Sequence, residues 1–308
     1  MTIEELNKAV LSGKIDSIIR VSEARQMKAL SKIADKISAK GTVRLLLIAG
    51  PSSAGKTTTS KRLVTQLAVN GVESVSLSTD DYFVGDARNP RDENGELDYE
   101  HINCVDIQKL TGDIRSLIAG QSVKEHRFDF VRHEPYDTDN LISLPQNGIV
   151  ILEGIHALNP LLVPGFDQEM LYRVYVEPVG QPIVFAKTRL SPRSGRFLRR
   201  LVRDNRYRKM SPIETFKLWP KVLAGEKKWI EPFKQNADDL FDSALDYELS
   251  VLKPYAEGLL ILANSKLENN IEAKVLGDIL AVVEPSDPAK VPGDSILRET
   301  IGGSLLDY

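Results

Sequence analysis

A run of apolar residues, Leu45 to Ala49, leads directly into GPSSAGKTTTSKRL, residues 50–63. Gly50, Gly55, Lys56 and Thr57 satisfy the pattern GxxxxGK[ST] in full, between an apparent strand and a helical pattern. Glycines let successive backbone N–H groups curl around phosphate oxygens, and the start of the next helix adds partial positive charge. Pro51, Ser52, Ser53 and Ala54 form the body of such a loop. Lys56 would reach the terminal phosphates, Thr57 would offer its hydroxyl to magnesium, and Thr58 would complete the phosphate-binding set. The competing explanation, a glycine-rich turn that only joins strand to helix, leaves the lysine and the following threonines without a reason. ATP and Mg2+ are therefore the expected cofactors.

This loop also constrains what surrounds it. Strands are expected at 43–50, 74–81, 148–154, 171–177 and 246–252, with a helix from Thr57 to Asn70 ended by Gly71. Strand, helix, strand in that order implies a parallel sheet with helices on both faces, an α/β fold of the P-loop NTPase type. Residues 1–40 carry Leu6, Val10, Ile15, Ile18, Ile19, Leu30, Ile33 and Ile37 among charges, which reads as an N-terminal helical arm. The expected organisation is this arm, a kinase-like core over 41–262, and a C-terminal helix and tail over 263–308. Residues 283–295, rich in proline and polar side chains, read as a surface loop.

Ligands of open parallel sheets lie at the carboxyl ends of the strands, so acids there are candidates for chemistry. Asp80 and Asp81 close the second expected strand and Glu153 closes IVIL. Asp80 reads as functional, Glu153 as a magnesium ligand alongside Thr57, and Asp81 as structural. Residues 189–209 hold eight arginines and one acid, Asp204. Arg196, Arg199, Arg200 and Arg203 would share one face of a helix, forming a positive stripe suited to a lid near 187–209 that closes over phosphates. A solvated basic face or an RNA-binding patch is the other reading of the same residues.

Composition narrows the setting. The net charge of −3 argues against a generally basic nucleic-acid binder, so nucleic acid is not the expected partner. A single cysteine, Cys104, excludes an internal disulfide framework and a zinc site built on several cysteines. The first twenty residues lack the apolar core of a signal peptide, and no uninterrupted apolar segment approaches the ~18 residues of a membrane span. A cytoplasmic protein without a membrane partner is expected, and a homo-oligomer is left open.

The chain has no NKxD motif of regulatory GTPases and no LSGGQ-like signature of ABC ATPases. It resembles the uridine kinase and phosphoribulokinase family over roughly residues 43–255, through GPSSAGKTTTSKRL, LSTDDYF (77–83), LDYEHINCVD (97–106), FDFVRH (128–133), VILEGIHAL (150–158) and RFLRRLVRD (196–204), in the family's order. The resemblance implies a nucleoside kinase, with uridine or cytidine as acceptor. It implies Asp80 as catalytic base beside Lys56, and Tyr82, Glu100, Phe128 and His133 around the nucleoside. It also implies lid contacts to the phosphates from Arg196, Arg199, Arg200 and Arg203. Two positions depart from the family pattern: Glu100 stands for an Asp and Phe128 for a Tyr. The helical arm and SILRETIGGS resemble extensions in a bacterial branch of the family whose kinases are often joined to further N-terminal domains, which would make this chain a short form or a piece of a longer one. A P-loop ATP-binding regulatory or RNA-associated protein without an efficient acceptor site is the alternative.

Overall fold

The computed structural model describes residues 1–185, 188–267 and 270–307. Two helices come first, α1 (Ile3–Leu11) and α2 (Ile15–Lys40). The Thr2 hydroxyl accepts from the Glu5 amide while the Glu5 carboxylate accepts from the Thr2 amide, a reciprocal cap that starts α1. Next come β1 (Leu45–Ala49), α3 (Lys56–Val69) and β2 (Ser74–Ser78), followed by α4 (Ile107–Ile118). An antiparallel hairpin of β3 (Val123–Asp129) and β4 (Glu134–Ile142) precedes β5 (Ile149–Glu153) and β6 (Leu171–Glu177). A short hairpin, β7 (Ile183–Phe185) and β8 (Thr188–Arg189), leads into α5 (Pro192–Tyr207) and α6 (Pro212–Trp229). The chain ends with β9 (Asp239–Asp242), α7 (Glu248–Lys266), α8 (Ile271–Ala281) and the single turn α9 (Arg298–Ile301).

Among the described residues, five strands form one parallel sheet in the order β2-β5-β1-β6-β9. β1 and β5 are buried along their whole length, as continuous apolar strands covered on both faces must be. The α/β expectation holds. The chain leaves β1 towards β2 and β5 on one side and returns to β6 and β9 on the other, so the sheet reverses direction at β1. A ligand crevice belongs at the carboxyl ends of strands at such a reversal, where Gly50, Ser78 and Glu153 lie.

The fifth strand is not where the sequence suggests. Residues 246–252 pass into α7, whose buried Leu249, Leu252, Ala256, Leu260 and Ala263 recur at helical spacing. The strand is DLFD, residues 239–242, a short segment made a strand by pairing in register with Val174 to Glu177. α7 also runs through residue 262 to Lys266, so the expected boundary there falls inside a helix.

The first forty residues are built into the body. Ile3, Leu6, Ile15 and Ile19 share an apolar cluster with Phe197, Trp219 and Leu252, while Leu30, Ile33 and Ile37 pack with Leu46, Ile48 and Phe241. Each fully buried Leu or Ile contributes about 1.5–3 kcal/mol, so these helices cannot detach without large cost. The C-terminal segment is likewise internal at Val291, Ile296, Leu297 and Ile301, all buried. Arg62 on α3, itself buried, donates to the Asp294 carbonyl at 2.7 Å and to Glu23 on α2 at 2.8 Å.

Candidate active site

The loop after β1 has the backbone of an anion cradle. Ser53 and Gly55 take positive φ, 59° and 90°, a turn that points consecutive amides to one side. Gly50 is fixed by close approach, since a Cβ there would sit 2.2 Å from the Val176 carbonyl oxygen. The Lys56 ammonium arches back to donate to the Pro51 carbonyl at 3.3 Å, over the loop it opens from.

The four arginines are arranged differently from the expected lid. Residue 187 lies outside the described residues; Arg196, Arg199, Arg200 and Arg203 lie on α5, on the side facing the loop, and the first three are buried. Arg196 donates to the Ser52 carbonyl at 3.0 Å and forms a two-pronged pair with Glu226 at 2.6 and 2.9 Å. Arg199 donates to the Ser53 and Ala54 carbonyls at 3.5 and 3.4 Å and is held by Glu248. Arg200 donates to the Ser52 hydroxyl at 2.8 Å. The stripe therefore faces inward and grips the carbonyl side of the loop, which leaves the amides to face the opposite side. Each charge has an acid beside it, so the exposed basic surface that an RNA site requires is not formed by these residues. Arg203, half-buried and paired with Asp204 at 2.9 Å, lines a cleft with Ser53 and Gly55.

The acids converge as the sheet topology requires. Glu153 accepts from the Ser78 hydroxyl at 2.8 Å and from the Thr57 hydroxyl at 3.4 Å. Burial, and next the neighbouring Asp80, raise its carboxyl to about 7, against the pull of Lys56. Gly154 makes this approach possible, because a Cβ would lie 1.8 Å from the Thr79 hydroxyl. Asp80 is exposed at the rim, at the start of the short turn after β2. Asp81 pairs with Arg127 on the hairpin at 3.2 Å, and burial raises its pKa despite that partner, in keeping with a structural role. Lys56 thus acts electrostatically on both Glu153 and Glu100, and Asp80 on Glu153.

The side chains expected around a nucleoside lie in the 86–101 loop and the hairpin, with α6 packed beside Glu100. Glu100 is half-buried, with its carboxyl raised to about 7 by burial and by Glu226, against Arg200 and Lys56. It packs on Gly225, where a Cβ would come within 2.4 Å of its own. His133, at positive φ in the hairpin turn, shares a 2.7 Å hydrogen bond with the Tyr99 hydroxyl, which donates to Asp86 at 2.6 Å. Tyr82 departs from its expected place: it is 1% exposed, and its hydroxyl donates to Asp113 on α4 at 3.0 Å. Phe128 is buried edge-on against Phe83 and Phe130 with centroids 5.7 and 5.1 Å away, so its ring is core packing beneath the hairpin. His101, His126 and His156 are engaged structurally, with His156 fully buried and pushed down to about 4 by burial.

Sequence reasoning missed Asp86 and Tyr99, the acids Glu226 and Glu248 that neutralise the arginines, and Glu299, which accepts from the Thr58 hydroxyl at 3.2 Å. The acids lie 30 and 49 residues from their arginines, so no local pattern could have pointed to them.

A parallel sheet with an anion cradle at its reversal point, a lysine over the cradle and strand-end carboxylates around it define a P-loop kinase. The chain belongs to the phosphoribulokinase / uridine kinase family, whose sequence model matches residues 45–250. A uridine kinase of Deinococcus deserti is 27% identical over 192 residues, covering 62% of this chain and 83% of that protein. A uridine kinase of Halobacterium salinarum is 28% identical over 194 residues, covering 62% and 76% respectively. Among solved structures, a possible uridine kinase from Bacillus stearothermophilus is similar at 21% identity and a TM-score of 0.46, covering 71% of this chain and 100% of that one. Among the described residues, no helix is long and apolar enough to cross a membrane.

Proposed function

We propose that this kinase transfers the γ-phosphate of ATP to the 5'-hydroxyl of a pyrimidine nucleoside, uridine or cytidine. The observation that carries the reading is that Lys56, at the cradle, is within electrostatic reach of both Glu153, beside Asp80, and the half-buried Glu100. Asp80 stands at the rim as general base for the acceptor hydroxyl, a role typically contributing 10²–10⁴-fold. Glu100 accepts from sugar hydroxyls, and the Tyr99–His133 pair offers polar atoms to the base. Lys56 and the loop amides stabilise charge on the transferring group. Arg203 adds a guanidinium from the cleft wall.

The donor set at Thr57 and Glu153, one hydroxyl and one carboxylate sharing a hydrogen bond, fits Mg2+, which takes hard oxygen ligands and keeps its remaining positions for phosphate and water. When bound it would neutralise phosphate charge.

The relatives named uridine kinase support a nucleoside acceptor. Phe128 has no hydroxyl and is buried, so base discrimination is expected to be weak. The test is kcat/KM for uridine, cytidine, adenosine, guanosine and inosine, with ATP turnover measured in the absence of each. A pyrimidine should stimulate turnover most. A purine nucleoside or a sugar phosphate used tenfold better, about 1.4 kcal/mol in the barrier, would give the acceptor site a different substrate. Equal slow hydrolysis with every compound would leave a nucleotide-binding protein without an acceptor.

A further inference from the structure

The sheet is covered unevenly. The connections from β1 to β2, β2 to β5 and β6 to β9 each carry at least one α-helix, whereas residues 154–170, which lead from β5 past β1 to β6, hold only short helical turns at Pro160–Leu162 and Gln168–Met170. Such turns do not fill the layer that a helix about 10 Å across would occupy. A cavity of about 370 Å³ remains between this connection, the sheet and the Glu231–Asn236 turn.

Its floor is apolar. Leu47 stands beside Arg173 in the register of β1 and β6, and Leu171, two residues before Arg173, points to the same face. Leu158 and Val163 of the connection close over them, and all four apolar side chains are buried. Arg173 and Asn236 are half-buried in the wall, and Gln168 is exposed at the rim. Ligand pockets are built this way, with roughly 300–1,000 Å³ of mostly apolar wall and a few polar groups that fix orientation. None of these residues belongs to the phosphate loop, the strand-end acids or the side chains expected around a nucleoside.

The polar groups select the ligand. A guanidinium carries five N–H donors. Among the described residues that of Arg173 gives one hydrogen bond, to the Gln168 side chain, and its ion pair with Asp238 is loose, at 4.0 Å. Asn236 gives one N–H to the Leu158 carbonyl at 3.5 Å and has a second. Donors are therefore in excess beside an apolar floor. Arg173 is the one cation in the lining, so a single negative charge matches it, while the second charge of a phosphate would have only Asp238 to face.

We propose that this cavity is a second ligand site, which takes a small organic acid with its carboxylate against Arg173 and Asn236 and its hydrocarbon body on the floor of Leu47, Leu158, Val163 and Leu171. The site is separate from the phosphate loop and does not depend on which acceptor the kinase uses.

The probe is cinnamate, with cinnamamide as its uncharged counterpart, titrated into the full chain and followed by NMR of the Leu and Val methyl groups. The acid should shift the methyls of Leu47, Leu158, Val163 and Leu171 with one common dissociation constant. The amide should bind about tenfold more weakly, because it lacks the charge-assisted hydrogen bond. Arg173→Gln should bring the acid down to the level of the amide, and the two losses should not add, since they remove the same contact. Val163→Trp, which fills the cavity, should abolish binding of both. Equal affinity of the parent for acid and amide overturns the ligand class. Methyl shifts confined to the surroundings of the phosphate loop, or none at millimolar acid, overturn the site and leave a cavity that holds water only. Should either variant fail to fold, the comparison of acid with amide on the parent still decides. ATP and nucleoside are absent throughout, so the outcome is separable from that of the acceptor assay.

Discussion

Glu248 at the start of α7 holds the Arg199 guanidinium through two hydrogen bonds, 2.5 and 2.8 Å, with the two side chains 1% and 2% exposed. The same guanidinium donates to the carbonyls of Ser53 and Ala54. A buried ion pair thus links the packing of two helices to the shape of the phosphate loop.

Breaking that link by Glu248→Ala leaves a buried charge without its partner, which costs about 3–5 kcal/mol. Urea denaturation should show the loss, and ATP affinity should fall with it. If stability drops by less than 1 kcal/mol, roughly a surface pair's worth, the pair does not hold the loop.

Two side chains at the crevice should separate chemistry from folding. Asp80→Asn, at an exposed position, is expected to lower turnover by about 10² or more while changing ATP affinity little. Lys56→Ala should remove most phosphoryl transfer from a protein that melts normally. Collapse of ATP binding in Asp80→Asn, with chemistry retained, would reassign that carboxylate to the metal.

Gly225 offers a test of the acceptor side alone. An added methyl at Gly225→Ala would meet the Cβ of Glu100 at 2.4 Å, too close for a rotamer change at Glu100 to relieve. Helix propensity favours the alanine by about 1 kcal/mol, so any loss must come from displacement. KM for the nucleoside should rise several-fold with KM for ATP unchanged. A parallel rise in both constants would count against the placement of Glu100.

Glu100 also predicts a pH dependence. Burial raises its carboxyl to about 7 from an ordinary 4.5, so between those values the folded protein keeps a proton that the unfolded chain has released. The free protein therefore loses stability from this group as pH rises from about 4.5 to about 7, with no further slope above. Tm of Glu100→Gln relative to the parent should increase across that interval. Nucleoside KM should fall through about pH 7 in the parent, as the carboxylate forms, and lose that trend in the variant. A Tm difference independent of pH would place the carboxyl in an ordinary solvated setting.

The parts legible in the sequence are those whose physics is local. A glycine pattern between a strand and a helix is a property of fourteen consecutive residues, and Glu153 at the end of an apolar strand needs the alternation of elements and nothing more. Arg196 to Arg203 could be assigned to one helix face by spacing, but the direction of that face depends on Glu226 and Glu248, which are distant in sequence. The arginines expected in a lid closing over phosphates turn inward to the loop for that reason. DLFD became a strand only through its pairing with β6, and DYELSVL reads as a strand until the apolar residues after it continue at helical spacing. Tyr82 was misplaced because sequence gives the position of a residue after a strand, not the direction of its ring.

Arg62 has a consequence for how much of this chain makes a working kinase. Its guanidinium meets Glu23 on one side and Asp294 on the other, and both lie outside residues 45–250 matched by the family. A protein cut to the family's span would keep the whole phosphate motif but lose both acids that pair with Arg62, together with α2 and the C-terminal segment that cover it. The two flanking segments act as structural chaperones in cis for the motif between them, and sequence variation at the termini becomes a route by which the setting of the phosphate loop can change with every motif residue intact.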